Sequence, residues 1–219
     1  MAAMSTAPQP AGPSTSPFCI SDSIFLTAIE TTDEEELYRV LNIDSTIANG
    51  LYSPKMVFPF PRESATYFIQ RQVSLRINQG IVHNWAIRTS VDGPMIGLVN
   101  LDDFDHGDDL RPCFRDEGAS TKDPTNILRC GGFGYWLSPE WTGKGIMTRA
   151  IQYSLHHMAR PLFGFERVHA EAWLENKASA RVMEKAGMRP TRGLPCFVEK
   201  FNATKEIAHF IYDIDGTNP

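Results

Sequence analysis

A short apolar run over residues 24–29, interrupted only by Thr27, predicts a first strand. Thr31-Thr-Asp-Glu-Glu-Glu36 then opens a helix running towards Ile47, with the acidic cluster at 33–36 suited to the positive end of the helix dipole. Residues 52–61 are broken by prolines and read as a loop, and residues 64–79 read as a second helix. Apolar and polar residues alternate over 83–89 and 95–101 around Val91-Asp-Gly-Pro94, a hairpin with one solvated face. Residues 102–129 carry charges and turn formers without periodicity, so they read as a loop insertion. Beyond them come a strand at 131–137, an amphipathic helix at 149–160, a strand at 168–173 and a helix at 176–188. In the last of these Asn176 is placed to cap the N-terminus, Val182, Met183 and Ala186 share one face, and Gly187 supplies the stop. Residues 191–200 and 205–214 read as two closing strands.

This succession predicts an α/β fold, a mixed central sheet flanked by helices. With 219 residues, 42% of them hydrophobic, the chain has material for one substantial core. Residues 18–219 are expected to form a single domain with 102–129 as its polar insertion. Residues 1–17, rich in Ala, Pro, Ser and Thr, read as a disordered tail, lacking the apolar core of a secretory signal and the repeated Arg of a mitochondrial presequence. A formal net charge of −5 disfavours nucleic acid as a ligand, because neutralising phosphates takes clustered Lys and Arg. It suits an amine-bearing partner. Cys19, Cys113, Cys130 and Cys196 lie far apart, which indicates neither a zinc site nor a disulfide framework. Asp102, Asp103, Asp105, His106, Asp108 and Asp109 lack the spacing of a calcium loop and read as solvated charge, so no metal is expected. No apolar run reaches the ~20 residues that span a bilayer. The expected setting is cytoplasmic or nuclear, with no membrane partner, as a monomer or homodimer.

Candidate chemistry begins at Trp141-Thr-Gly-Lys-Gly-Ile-Met-Thr148, where a strand turns through glycines into a helix. The first N–H groups of a helix lack intrahelical partners and the dipole adds positive charge there, so the turn favours a phosphate or pyrophosphate. A P-loop would need Gly at Ser138 and Ser or Thr at Gly145. A dinucleotide fingerprint started at Gly143 and Gly145 meets Thr148 where its third Gly belongs. Taken alone, the turn also suits a tight corner that holds no ligand.

A second segment changes that reading. Gly134-Tyr-Trp-Leu-Ser-Pro-Glu-Trp-Thr-Gly-Lys-Gly-Ile-Met-Thr148 and Glu175-Asn-Lys-Ala-Ser-Ala-Arg-Val-Met-Glu-Lys-Ala-Gly-Met188 occur in this order and separation. Together they resemble the GNAT superfamily of acetyl-CoA-dependent N-acetyltransferases, in particular its ribosomal-protein N-acetyltransferase-like (RimJ/RimL-type) branch. The resemblance covers residues 23–214. It implies a central sheet splayed open in the middle, with acetyl-CoA in the splay and its pyrophosphate on the turn at 142–147. The cofactor-binding residues implied are Leu137, Thr142, Gly143, Lys144, Gly145, Ile146, Met147, Thr148, Asn176, Ser179 and Met183. The usual superfamily signature opens with Arg or Gln and closes with Gly or Ala, where this chain has Thr142 and Met147. Backbone N–H groups carry that interaction, so these departures are tolerated. The loop at 52–61 is implied to form part of the acceptor pocket.

Acetyl transfer to an amine requires a neutral nucleophile, a polarised thioester carbonyl and a proton for the departing thiolate. An amine with a solution pKa of ~10 is mostly protonated at neutral pH, so a carboxylate or an ordered water must first take a proton. Glu171 interrupts the apolar strand at 168–173 and is the candidate base; His169 shares its face by period two. The plainer reading puts both on the solvated side of an edge strand. Many GNAT enzymes protonate the thiolate with a Tyr on the second cofactor helix, at the position of Met183 here. The branch it resembles carries an N-x-x-S element instead, matched by Asn176 and Ser179. This implies Asn176 towards the pantetheine arm and Ser179 as donor to the thiolate, with helix capping as the other use of the pair. Trp85, Phe133, Tyr135, Trp136 and Trp173 read mainly as core, with Tyr135 or Trp136 able to face the acceptor. Three functions stand side by side: an N-acetyltransferase acting on a protein or peptide N-terminus or a small amine, a small-molecule detoxifying acyltransferase, and a non-catalytic acyl-CoA-binding module.

Overall fold

The computed structural model describes residues 17–51, 56–80, 82–103 and 129–214. Nearly all of the expected tail and most of the expected insertion lie outside the described residues. In chain order the elements are β1 (Phe18–Ser21), β2 (Ile24–Ala28), α1 (Glu34–Leu41), α2 (Thr46–Gly50), α3 (Arg62–Gln79), β3 (Asn84–Arg88), β4 (Gly97–Asp103) and β5 (Cys130–Leu137). They continue with α4 (Ile146–His157), α5 (Ala159–Phe163), β6 (Arg167–Trp173), α6 (Lys177–Lys185), β7 (Arg189–Pro190), β8 (Leu194–Val198) and β9 (Ala203–Asp213). The strands form one sheet in the order β1-β2-β3-β4-β5-β6-β9-β7, with β8 also on β9. Every pairing is antiparallel except β5 with β6. That one parallel pair needs a crossover, and α4 with α5 supplies it.

Both faces of the sheet are covered. α4 aligns Ile146, Met147, Ala150, Ile151 and Leu155 in one buried stripe, which packs on Val99, Leu101, Phe133, Val168 and Ala170. On the opposite face α1 and α3 bring Leu37, Val40, Leu41, Ala65 and Ile69 onto Ala86, Leu98 and Trp136. Alternation along β5 therefore turns Phe133, Tyr135 and Leu137 towards the first core and Trp136 towards the second.

The parallel register runs from Cys130 opposite Arg167 to Phe133 opposite Ala170 and stops there. β5 stays bonded to β4 as far as Leu137, and β6 to β9 as far as Trp173. Past Phe133 and Ala170 the two strands part, and a cleft opens in the middle of the sheet.

Several elements depart from the sequence pattern. The helix expected from Thr31 to Ile47 is a 3-10 turn, then α1, then α2. Asn42 ends α1: its Nδ2 donates to Tyr38 O at 2.9 Å and Phe60 O at 3.1 Å, and its Oδ1 accepts from Phe60 N at 2.8 Å. An Asn side chain that bonds backbone in this way competes with helix continuation. Asp33 is not simple helix-end charge. It is buried, accepting from Glu30 N at 2.9 Å and pairing with Arg88 at 2.6 Å. β6 is no edge strand, since β5 and β9 flank it. The strand expected at 191–200 shrinks to β8, with β7 a separate two-residue strand ahead of it; between them lies Gly193, where a Cβ would strike Ile207 O on β9. β1, only four residues long, had no pattern to announce it.

Candidate active site

The cleft between the parted strands has a volume of about 630 Å³. One wall is the turn from Thr142 to Thr148 together with α6. Gly143 and Gly145 take φ of 74° and 71°, a left-handed conformation that side-chain-bearing residues adopt at a cost. Gly145 is the N-cap of α4, and no side chain caps that end. The first-turn N–H groups are thus left for a ligand beside the cleft that Ile146, Met147 and Thr148 line. Arg181 and Lys185 add cationic side chains to the same wall from α6. Uncapped donors at a positive dipole end, flanked by two cations, fit a pyrophosphate.

Two of the expected cofactor residues stand apart from the lining. Lys144 lays its ammonium over the Trp141 ring, 4.4 Å from the centroid. Met183 is wholly buried in the core beneath α6. Leu137, Thr142, Gly143, Gly145, Asn176 and Ser179 all line the cleft.

At the start of α6, Asn176 Oδ1 accepts from Ser179 N at 3.1 Å, so the capping geometry is present. The Ser179 side chain is engaged elsewhere. Its Oγ lies 2.5 Å from Tyr135 Oη, which also comes within 3.1 Å of Ser179 O. Burial pushes the Tyr135 phenol up to about 12, so it stays protonated at any working pH. The sequence leaves the facing of Tyr135 open. Its period-two relation to Phe133 was the available clue that it shares the α6 side. When the phenol donates to Ser179 Oγ, the serine proton is released to point elsewhere; when it donates to Ser179 O, the serine proton is held against the tyrosine.

The other face of the opening carries different chemistry. Asn100 and Asp102 on β4, Gly132, Gly134 and Trp136 on β5, and His169 and Glu171 on β6 line it. Thr46, Ile47 and Gly50 from α2, with Leu51 just after it, close it over. Gly134 is needed here because a Cβ would strike Asn100 Oδ1, which lies across the strand. Asn100 Nδ2 in turn donates to Asp102 Oδ2 at 2.5 Å. The α2 residues and Asn100 were not singled out in the sequence, because a five-residue helix and one polar position in a strand leave no distinctive pattern.

His169 and Glu171 share a face, as their spacing predicts, but with different surroundings. His169 is buried, its Nδ1 3.0 Å from His209 Nε2 and the two rings stacked at 5.2 Å. Burial, and next the His209 ring, hold its pKa down to about 3. It is therefore neutral and a weak base. Glu171 is half-buried on the cleft wall, which leaves it as the better placed base of the two. Among the described residues no group of three or more His, Cys, Asp and Glu side chains could hold a metal ion.

Residues 23–189 match the model of the Acetyltransferase (GNAT) domain, and the chain belongs to that family. No curated protein sequence matches the chain significantly. Solved structures of similar fold include a GNAT-family acetyltransferase from Bacillus anthracis, 19% identical with a TM-score of 0.65 over 89% of this chain and 97% of that one. Another is RimL, a ribosomal L7/L12 alpha-N-protein acetyltransferase in complex with coenzyme A, at 16% identity and TM-score 0.66 over 91% and 99%. A third is a ribosomal-protein-S5-alanine acetyltransferase from Vibrio fischeri, at 18% identity and TM-score 0.64 over 93% and 100%.

Proposed function

We propose that this GNAT-family chain uses acetyl-CoA to acetylate a primary amine directly, with a protein or peptide N-terminus, or a small amine, as acceptor. The carrying observation is the pairing, across one cleft, of an uncapped α4 N-terminus with a carboxylate at Glu171 and a hydroxyl pair at Ser179 and Tyr135. Acetyl-CoA, when bound, supplies an activated acyl group on a good leaving thiol. The first turn of α4 binds its pyrophosphate, aided by Arg181 and Lys185. Asn176 and Ser179 lie where the parted strands admit the pantetheine arm.

Glu171 takes a proton from the incoming ammonium, so that a neutral amine attacks. Asp102 adds a second carboxylate to the same face and favours a cationic acceptor over an anionic one. As the amide forms its nitrogen sheds a further proton; Ser179 passes a proton to the departing sulfur and regains that one, and Tyr135 orients the serine: with the phenol donating to Ser179 Oγ, the serine proton is free for the cleft. The ribosomal-protein acetyltransferases among the similar structures support a protein N-terminus as acceptor. The test is release of free thiol from acetyl-CoA with the purified full chain and a panel of N-terminal peptides and polyamines. Release dependent on one acceptor class is expected; binding of acetyl-CoA with no release from any class favours the non-catalytic module.

A further inference from the structure

Lys200 lies in the turn Glu199–Phe201 that joins β8 to β9, remote in sequence from α2. Among the described residues its half-buried ammonium nevertheless donates to backbone carbonyls of α2 and of the segment after it: Ala48 O at 2.7 Å, Leu51 O, and Met56 O at 3.3 Å. A Lys ammonium has three N–H donors and so can hold several such carbonyls at once. From the end of β6, Trp173 Nε1 donates to Asn49 O at 2.9 Å. The C-terminal carbonyls of a helix have no intrahelical partners, and in α2 two side chains from the far end of the chain answer them. Phe201 joins the two, set edge-on to Trp173 at 6.0 Å and beneath the Lys200 ammonium at 5.0 Å.

α2 is too short to hold itself in place: five residues form a single turn, and isolated helices of that length do not persist in water. Yet Thr46, Ile47, Gly50 and Leu51 form the acceptor-side wall of the cleft. The described bonds of the Lys200 ammonium and the Trp173 indole go to α2 and the segment after it rather than to the turn at 142–148 or α6, which build the cofactor side. We propose that Lys200 is a positioning residue, whose ammonium together with Trp173 clips the C-terminal end of α2 in place and so sets the acceptor wall. The effect on acceptor binding rests on the acetyltransferase reading; the effect on α2 does not.

The test is Lys200→Met in the full chain, a substitution that keeps the length of the side chain and removes its donors. By hydrogen exchange, the amides of Asn49 and Leu51, bonded to Ser45 O and Ile47 O, should exchange about tenfold faster, as loss of charge-assisted bonds to the segment implies. Amides of α4 and α6 should keep their wild-type rates, and acetyl-CoA should bind with unchanged affinity by calorimetry. With an octapeptide bearing N-terminal Ser, KM should rise about tenfold while kcat holds. Trp173→Phe, which removes only the indole donor, should speed exchange in α2 in the same direction and serves if Lys200→Met does not fold. Wild-type exchange rates in α2, or exchange accelerated equally throughout the molecule, overturns the clip. Failure of both proteins to bind acetyl-CoA would defeat the functional reading instead, while α2 exchange would still judge the clip.

Discussion

Ser179→Ala separates the helix-capping contact of that residue from the proton supply we propose for it. The cap survives the change, because Asn176 Oδ1 bonds the backbone N–H of residue 179 at 3.1 Å and Ala retains it. Tyr135 also keeps an acceptor, since Ser179 O lies 3.1 Å from its Oη. The fold then loses the net worth of one hydrogen bond, about 0.5–1.5 kcal/mol. For a chain of this size each kcal/mol lowers Tm by about 2–4 °C. Loss of a general acid, by contrast, costs about 10²–10⁴ in rate, or roughly 2.7–5.5 kcal/mol of transition-state stabilisation. The assay is the initial rate of thiol release at saturating acetyl-CoA and amine, run beside a thermal melt and a calorimetric titration of acetyl-CoA. The expected result is a kcat lowered by about two orders of magnitude or more, with Tm within a few degrees of wild type and acetyl-CoA affinity nearly intact. A kcat within about twofold of wild type would remove Ser179 from the chemistry and leave it only a capping partner.

Glu171→Gln should depress turnover most at neutral pH and least near pH 10, because the acceptor amine then loses its proton in solution without help; an unchanged pH–rate profile would eliminate Glu171 as the base. Gly145→Ala forces a Cβ into φ 71° and within 3.3 Å of Arg149 Nη1. The left-handed conformation costs about 1–2 kcal/mol, and the affinity for acetyl-CoA, read by calorimetry, should fall about tenfold. Asp33→Ala would strand the buried Arg88 guanidinium, whose other bonds go to Thr27 Oγ1 and Gly93 O at 2.7 Å each. Unfolding in urea should show a loss of about 3–5 kcal/mol, with the kcat of the folded fraction retained.

Much of this architecture is legible in the chain because it rests on local signals. Alternation marks the interior strands well, and glycines at 143, 145 and 187, all with positive φ, fix the turn and the end of α6. Asn176 caps α6 as its residue type predicts. What escaped depended on distant partners. The break after α1 arises from Asn42 bonding Phe60, 18 residues away, and no local pattern encodes that. Asp33 reads as helix-end charge until Arg88, 55 residues on, is seen beside it. Tyr135 meets Ser179 only because β5 and β6 part and α6 crosses the opening. His169 and Glu171 are indistinguishable by period; burial, and next the His209 ring, are what make His169 a weak base.

The most direct measurement is a calorimetric titration of acetyl-CoA against the full chain, repeated with acetyl-pantetheine, which carries the same thioester and arm but no pyrophosphate. If the parted strands admit the arm and the α4 N-terminus holds the pyrophosphate, acetyl-CoA binds at a single site and acetyl-pantetheine binds far more weakly. No binding of acetyl-CoA, or equal affinity for the two ligands, would contradict the assignment of the Gly143–Gly145 turn.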